Sequence, residues 1–262
     1  MGRLDPMFEQ TRAEGRAALV GYLPAGYPSV RGSADALKAM IAAGCDLVEV
    51  GIPFSDPVMD GPTIQAAAEQ ALRGGFRVRD VFTVVESVAA AGGRAVVMTY
   101  WNLVYKYGVD AFARDLAAAG GLGIITPDLI ADEAGEWIAA SDAHGLDRIF
   151  LIAPSSTEER IVRTVEAGSG FVYASSVMGV TGARDSVGSG AADLVRRARV
   201  HTSLPIGVGL GVRNGAQAAE VAGFADAVIV GSAFVSRAGS GISDVEELTA
   251  ELAAGVRSVP VA

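Results

Sequence analysis

Cysteine is almost absent from this chain: Cys45 is the only one in 262 residues, so no intramolecular disulfide is available. Histidine is nearly as scarce, and His144 and His201 stand far apart without the spacing of zinc ligands. Cys45 reads as a small core residue, and the histidines as occupants of helix ends in SDAHGLD and RVHTSLP. No Lys/Arg run is present that would track a phosphodiester backbone. Acidic residues outnumber basic ones by 30 to 21, a net charge of −9, which argues against nucleic acid as a partner. No apolar run approaches the ~18 residues of a membrane span. The N-terminal stretch MGRLDPMFEQTRAEGRAALV places Arg3, Asp5, Glu9, Arg12 and Glu14 where a signal peptide needs an unbroken apolar core. These absences point to a cytoplasmic protein. Linkers and low-complexity segments are also missing, so residues 1–262 are expected to form one domain.

What is present is an apolar, moderately charged chain, 50% hydrophobic and 19% charged, which is the balance of a globular protein. Its length suits one α/β barrel. Short β-rich runs alternate with Ala-rich segments of helical period. Eight strands are predicted: AALVGYL from Ala17, LVEVG from Leu47, AVVMTY from Ala95, LGIIT from Leu122, RIFLIA from Arg148, GFVYAS from Gly170, PIGVG from Pro205 and DAVIVG from Asp226. Between them lie amphipathic stretches such as SADALKAMIAAG, DVFTVVESVAAAG and TEERIVRTVEAG, several of which open on Ser, Thr or Asp and close on Gly. Eight such units predict a single (βα)8 TIM barrel with extra short helices. Two connections exceed a minimal turn, residues 52 to 61 and residues 174 to 190, and both follow strands. In a barrel that places them at the C-terminal mouth, where catalytic residues collect.

The segment LVEVGIPFSDPVMDGPTIQ raises the chemical question, because it carries an acid through an apolar strand. With period two, Leu47, Glu49 and Gly51 share the inward face, while Val48 and Val50 face the outer helices. A carboxyl inside a barrel is desolvated, which raises its pKa toward the range where it can both give and take a proton. A buried Glu pinned by an Arg or by backbone donors is the plainer alternative. Asp60, in the next loop, brings a second carboxylate toward the same cavity. Asp56, in Ser-Asp-Pro, is the weaker candidate, since that tripeptide is ordinary turn chemistry.

Glycine-rich turns follow the last three strands: GVTG at Gly179 to Gly182, GVGLG at Gly207 to Gly211, and VGSA at Val230 to Ala233. Barrels build phosphate sites there from backbone N–H groups and the N-terminus of a short extra helix, which lets an acidic protein hold a phosphate without lysine. GVGLGV is discounted as a dinucleotide fingerprint, because Val212 stands where G-x-G-x-x-G needs its last glycine.

Taken together, VEVGIPFSDPVMDGPTIQ, YWNLVY, FVYASSVMGVTGAR, PIGVGLGV and AVIVGSAFV resemble the tryptophan synthase α subunit family, in the expected order and over nearly the whole chain. The resemblance implies the same barrel and a lyase that cleaves indole-3-glycerol phosphate to indole and glyceraldehyde 3-phosphate by a retro-aldol reaction. It makes Glu49 the general acid/base, Asp60 the carboxylate facing the indole nitrogen, and Tyr173 the assisting residue at the end of strand six. Phosphate ligands would be Gly182, Gly211, Gly231 and Ser232, largely through backbone N–H groups. Thr181 and Gly209 in the same turns, with Tyr22 and Tyr100, complete the implied substrate-binding set. Phe54 is either a ligand contact or barrel packing. The reaction requires no cofactor, metal or Schiff base; the lysine nearest the site segments is Lys106, beyond YWNLVY.

The implied partner is a pyridoxal-phosphate-dependent β subunit in an α2β2 heterotetramer, with the loop 174–190 closing over bound phosphate. Two departures stand out. Tyr22 occupies a first-strand position where the family often has Phe, and Ile130 in PDLIADE stands where it often has Pro. Two other readings compete with this one. A different phosphate-binding barrel enzyme, such as a sugar-phosphate isomerase, needs another acid/base pair, and none is as well placed as Glu49 with Asp60. Loss of Glu49 or Asp60 would favour an inactive subunit that only binds and activates a partner, and both are present.

Overall fold

The computed structural model describes residues 2–175, 189–209 and 211–259. Eight parallel strands close in sequence order into a barrel. They are β1 (Ala18–Pro24), β2 (Leu47–Gly51), β3 (Ala95–Met98), β4 (Gly123–Thr126), β5 (Asp147–Ile152), β6 (Val172–Ser175), β7 (Ile206–Gly209) and β8 (Ala227–Val230). All eight lie where the apolar runs predict them.

The helices are α1 (Asp5–Ala13), α2 (Val30–Ala43), α3 (Pro62–Arg73), α4 (Asp80–Ala90), α5 (Trp101–Tyr107), α6 (Val109–Ala118), α7 (Gly135–His144), α8 (Glu158–Ala167), α9 (Ser189–Arg199), α10 (Gly215–Ala222), α11 (Ser232–Ala238) and α12 (Ile242–Arg257). The second and third strands are each followed by two helices, and β8 by α11 and α12, so the extra helices cluster at the connections that build the mouth. Helix α2 begins one turn before the segment SADALKAM. Its N-cap is Ser29, whose side chain accepts from Gly32 N, while Ser33 lies within the helix and accepts from Gly26 N. His144 ends α7, His201 follows α9, and Cys45 is buried.

Period two sorts the barrel into two apolar layers. Val48 and Val50 pack outward among the helices, while Leu47 joins Ala18, Val20, Val96, Ile125, Ile149, Phe171, Ala227 and Ile229 inside. Helix α1 closes the bottom of this inner layer. Met7 and Phe8 on α1, with Leu4 just before it, are buried there, and the Phe8 ring stands 5.8 Å from that of Phe171. Asp147 ties the plug in place: its Oδ2 accepts from Leu4 N at 2.8 Å and its Oδ1 from Ser169 Oγ at 2.8 Å. The bottom is therefore sealed, and access to the interior is from the opposite end.

Candidate active site

A cavity of about 450 Å³ opens at the C-terminal mouth. Glu49 forms its floor at only 1% exposure, and neither carboxyl oxygen has a hydrogen-bond partner among the described residues. Burial alone pushes its pKa up to about 8. Among the described residues, therefore, no Arg or backbone donor pins this carboxyl as the plainer alternative requires. An unpaired acid in an apolar shell stays protonated at neutral pH and can give up a proton when a basic centre approaches.

Asp60 reaches the cavity from the loop between β2 and α3. Burial raises its pKa from the ordinary carboxylate value, and a hydrogen bond from Tyr100 works against that rise. The Tyr100 hydroxyl lies 3.3 Å from Asp60 Oδ1 and accepts from Met59 N at 3.1 Å. One phenol thus holds both the acid and the backbone beside it. Tyr100 stands behind Asp60 and does not line the cavity, and Phe54 packs on Tyr100 with ring centroids 5.1 Å apart, also outside the lining. Asp56 accepts from Ser55 Oγ in an exposed local turn.

Tyr22 and Tyr173 line the walls. Tyr22 pairs in register with Glu49, and its hydroxyl crosses Gly51, where an added Cβ would overlap the phenol oxygen. Tyr173 does the same across the barrel: a Cβ at Gly209 would lie 2.5 Å from its hydroxyl. Both glycines are seats for a phenol on the preceding strand, a role their place in glycine-rich or turn-like motifs does not disclose. Desolvation first, and then the nearby carboxylates, keep both phenols well above the ordinary tyrosine pKa, so both remain neutral.

The rim beyond β7 and β8 carries Gly211, Gly231 and Ser232. Gly211 has φ +67°, a left-handed conformation that favours glycine. A Cβ at Gly231 would meet only ordinary contacts, 3.6 Å from Tyr22 Cδ1 being the nearest. Thr181 and Gly182 lie outside the described residues.

The apolar walls include Met98, Leu151, Ile229 and Ile64, none of them singled out in the sequence. Strand alternation marks three of these, because Met98, Leu151 and Ile229 continue the inward faces of Val96, Ile149 and Ala227. Ile64, in the first turn of α3, carries no such signal. Among the described residues no Lys, Arg or His lines the cavity. Ile130 is partly exposed beyond β4 and does not line it either.

A (βα)8 barrel with two carboxyl groups converging on an apolar pocket that also carries a glycine rim belongs to the class of barrel enzymes that work by acid/base catalysis. Residues 8–260 match the family model described as tryptophan synthase alpha chain. The tryptophan synthase alpha chain of Nocardia farcinica is 68% identical over 260 residues, covering 99% of this chain and 98% of that one. That of Mycobacterium marinum is 66% identical, covering 97% and 95%. Among solved structures, tryptophan synthase of Mycobacterium tuberculosis matches with a TM-score of 0.94 at 62% identity, covering 98% of both chains. The tryptophan synthase complex of Pyrococcus furiosus matches at 0.82 and 32% identity, covering 90% of this chain and 98% of that one. The chain belongs to the tryptophan synthase alpha chain family, lyase subunits that cleave indole-3-glycerol phosphate in tryptophan biosynthesis and work with a beta subunit.

Proposed function

We propose that Glu49, Asp60 and Tyr173 carry the cleavage, and that the glycine rim holds the phosphate. Protonated Glu49 gives its proton to the indole carbon that bears the glycerol chain, which leaves positive charge on the ring nitrogen. Asp60 accepts the ring N–H and stabilises that charge. The ionised Glu49 then takes the proton of the adjacent glycerol hydroxyl. As that oxygen becomes the aldehyde, the carbon–carbon bond breaks and its electrons return to the ring, releasing neutral indole. Glu49 ends protonated, so one group serves both transfers. Tyr173 stays neutral and supplies a hydrogen bond at the glycerol oxygen. The backbone N–H groups at Gly211, Gly231 and Ser232, with Thr181 and Gly182, receive the phosphate, the first-turn donors of a helix being free of intrahelical partners.

The observation that carries this reading is the burial of Glu49 without a hydrogen-bond partner among the described residues, and its pKa near 8 suits a group that must donate and then accept. A single-turnover measurement of indole release from indole-3-glycerol phosphate tests it. Glu49→Gln should bind substrate as the wild type does and lose cleavage by about a hundredfold or more. Turnover like that of the wild type would remove Glu49 from the mechanism.

The partner is a pyridoxal-phosphate-dependent beta subunit in an α2β2 assembly in the cytoplasm, with residues 1–262 acting as one barrel domain. Supporting this, the loop that carries Asp60 shows apolar side chains to solvent, with Val58 at 77% and Met59 at 46% exposure. Among the described residues no helix is long and apolar enough to cross a membrane.

A further inference from the structure

The reaction as derived leaves the Tyr22 hydroxyl without a task. Tyr22 is 8% exposed, and its hydroxyl makes no hydrogen bond with any described residue. A phenol on the cavity wall in that state takes its partner from whatever fills the cavity. Asp60 has the complementary deficit. Its Oδ1 receives the Tyr100 hydroxyl, while its Oδ2 receives no donor from the described residues.

Both groups line the same cavity, on adjoining elements: the loop bearing Asp60 leaves β2 directly after Gly51, the residue that the Tyr22 ring covers. In the open cavity bulk water can solvate donor and acceptor separately. An aromatic ligand expels that water, and the two groups are then left to each other.

We propose that Tyr22 is a positioning residue whose hydroxyl, in the ligand-filled cavity, donates a hydrogen bond to Oδ2 of Asp60. The carboxylate is then gripped between the phenols of Tyr22 and Tyr100 and aimed at the ring N–H. The proposal rests on the role given to Asp60 above. The titratable groups that share this space with Asp60 are Glu49 from β2, Tyr173 from β6 and Tyr100 from the start of α5. No cation from the described residues lines the cavity to take over the work of the donor. Phe at this position would supply the same flat wall without the donor, so the hydroxyl can be separated from the packing of the ring.

The test compares wild type and Tyr22→Phe in the full chain assayed with its beta subunit, following kcat for indole release, which reports the groups of the ligand-filled site, from about pH 5 to about pH 9. A donor to ionised Asp60 favours its charged form, so its loss should move the acid limb upward by about one pH unit. The basic limb, set by Glu49, should stay in place. The Kd of a non-cleavable indolyl alkyl phosphate, measured over the same range, should shift with the acid limb and decides the matter even if turnover is too slow to follow. Superimposable acid limbs, with or without a rise in KM, would overturn the proposal and leave Tyr22 a wall or a direct ligand contact. Movement of the basic limb alone would also overturn it, by assigning the hydroxyl to Glu49. Absence of indole release by the wild type would instead fault the reading of the site as a whole.

Discussion

Glu49 sets stability and activity against each other. In the unfolded chain its carboxyl titrates near the ordinary 4.5, and in the barrel near 8. Below the lower value both states are protonated and burial carries no ionic penalty. As pH rises through the window from 4.5 to 8, the unfolded chain releases its proton while the native state keeps it. Native stability falls by about 1.4 kcal/mol for each pH unit crossed, and above the upper value the loss is complete. Glu49→Gln removes this dependence. The variant should match the wild type near the lower end of the window and exceed it by several kcal/mol at the upper end, as urea unfolding at the two pH values would show. A constant difference across the window would mean that Glu49 ionises freely in the folded protein.

At the scale of single elements, the ends of β2 and β7 do the same work. Each finishes on a glycine that admits a phenol from the preceding strand, Gly51 under Tyr22 and Gly209 under Tyr173. The resemblance assigns Gly209 to the substrate, whereas its closest constraint is the Tyr173 ring. Gly209→Ala should therefore displace Tyr173 and lower kcat about tenfold to a hundredfold, with little change in the affinity for a phosphate-bearing analogue. Gly231→Ala should behave oppositely, because its Cβ has room beside Tyr22 and Ile64 and narrows the rim proposed to hold the phosphate: affinity for the analogue should fall, with little change in thermal stability. Binding titrations and melting curves on both variants distinguish the two roles, and equal weakening by both would return Gly209 to the ligand.

Across the whole molecule, the two ends of the barrel have separate duties. The bottom is held by α1, by the Asp147 network and by buried apolar residues, and so contributes stability. The mouth keeps Glu49 without a hydrogen-bond partner among the described residues, and exposed apolar side chains stand on the loop that bears Asp60. A partner pressing on Val58 and Met59 acts on Asp60 through one or two peptide bonds and through the Met59–Tyr100 contact. The chain alone should cleave indole-3-glycerol phosphate slowly, and the beta subunit should raise the rate. Mixing the two at micromolar concentration, with association and indole formation read together, checks this. A complex with unchanged rate would uncouple the interface from the chemistry.

Much of this was legible in the chain itself. Periods of two and 3.6 are local, so they place eight strands and their helices, turn Glu49 inward, and mark Met98, Leu151 and Ile229 as interior. Motif order then identifies the family. Other features depended on residues far apart in the chain meeting in space. Tyr100 reaches Asp60 across forty positions, Asp147 receives the backbone of Leu4 across 143, and Tyr173 settles on Gly209 of the next strand. Neither these meetings nor the unpartnered burial that lifts Glu49 to a pKa near 8 leaves a local pattern. Hydrogen bonding and desolvation depend on which groups approach within a few ångströms, and only closure of the barrel determines that.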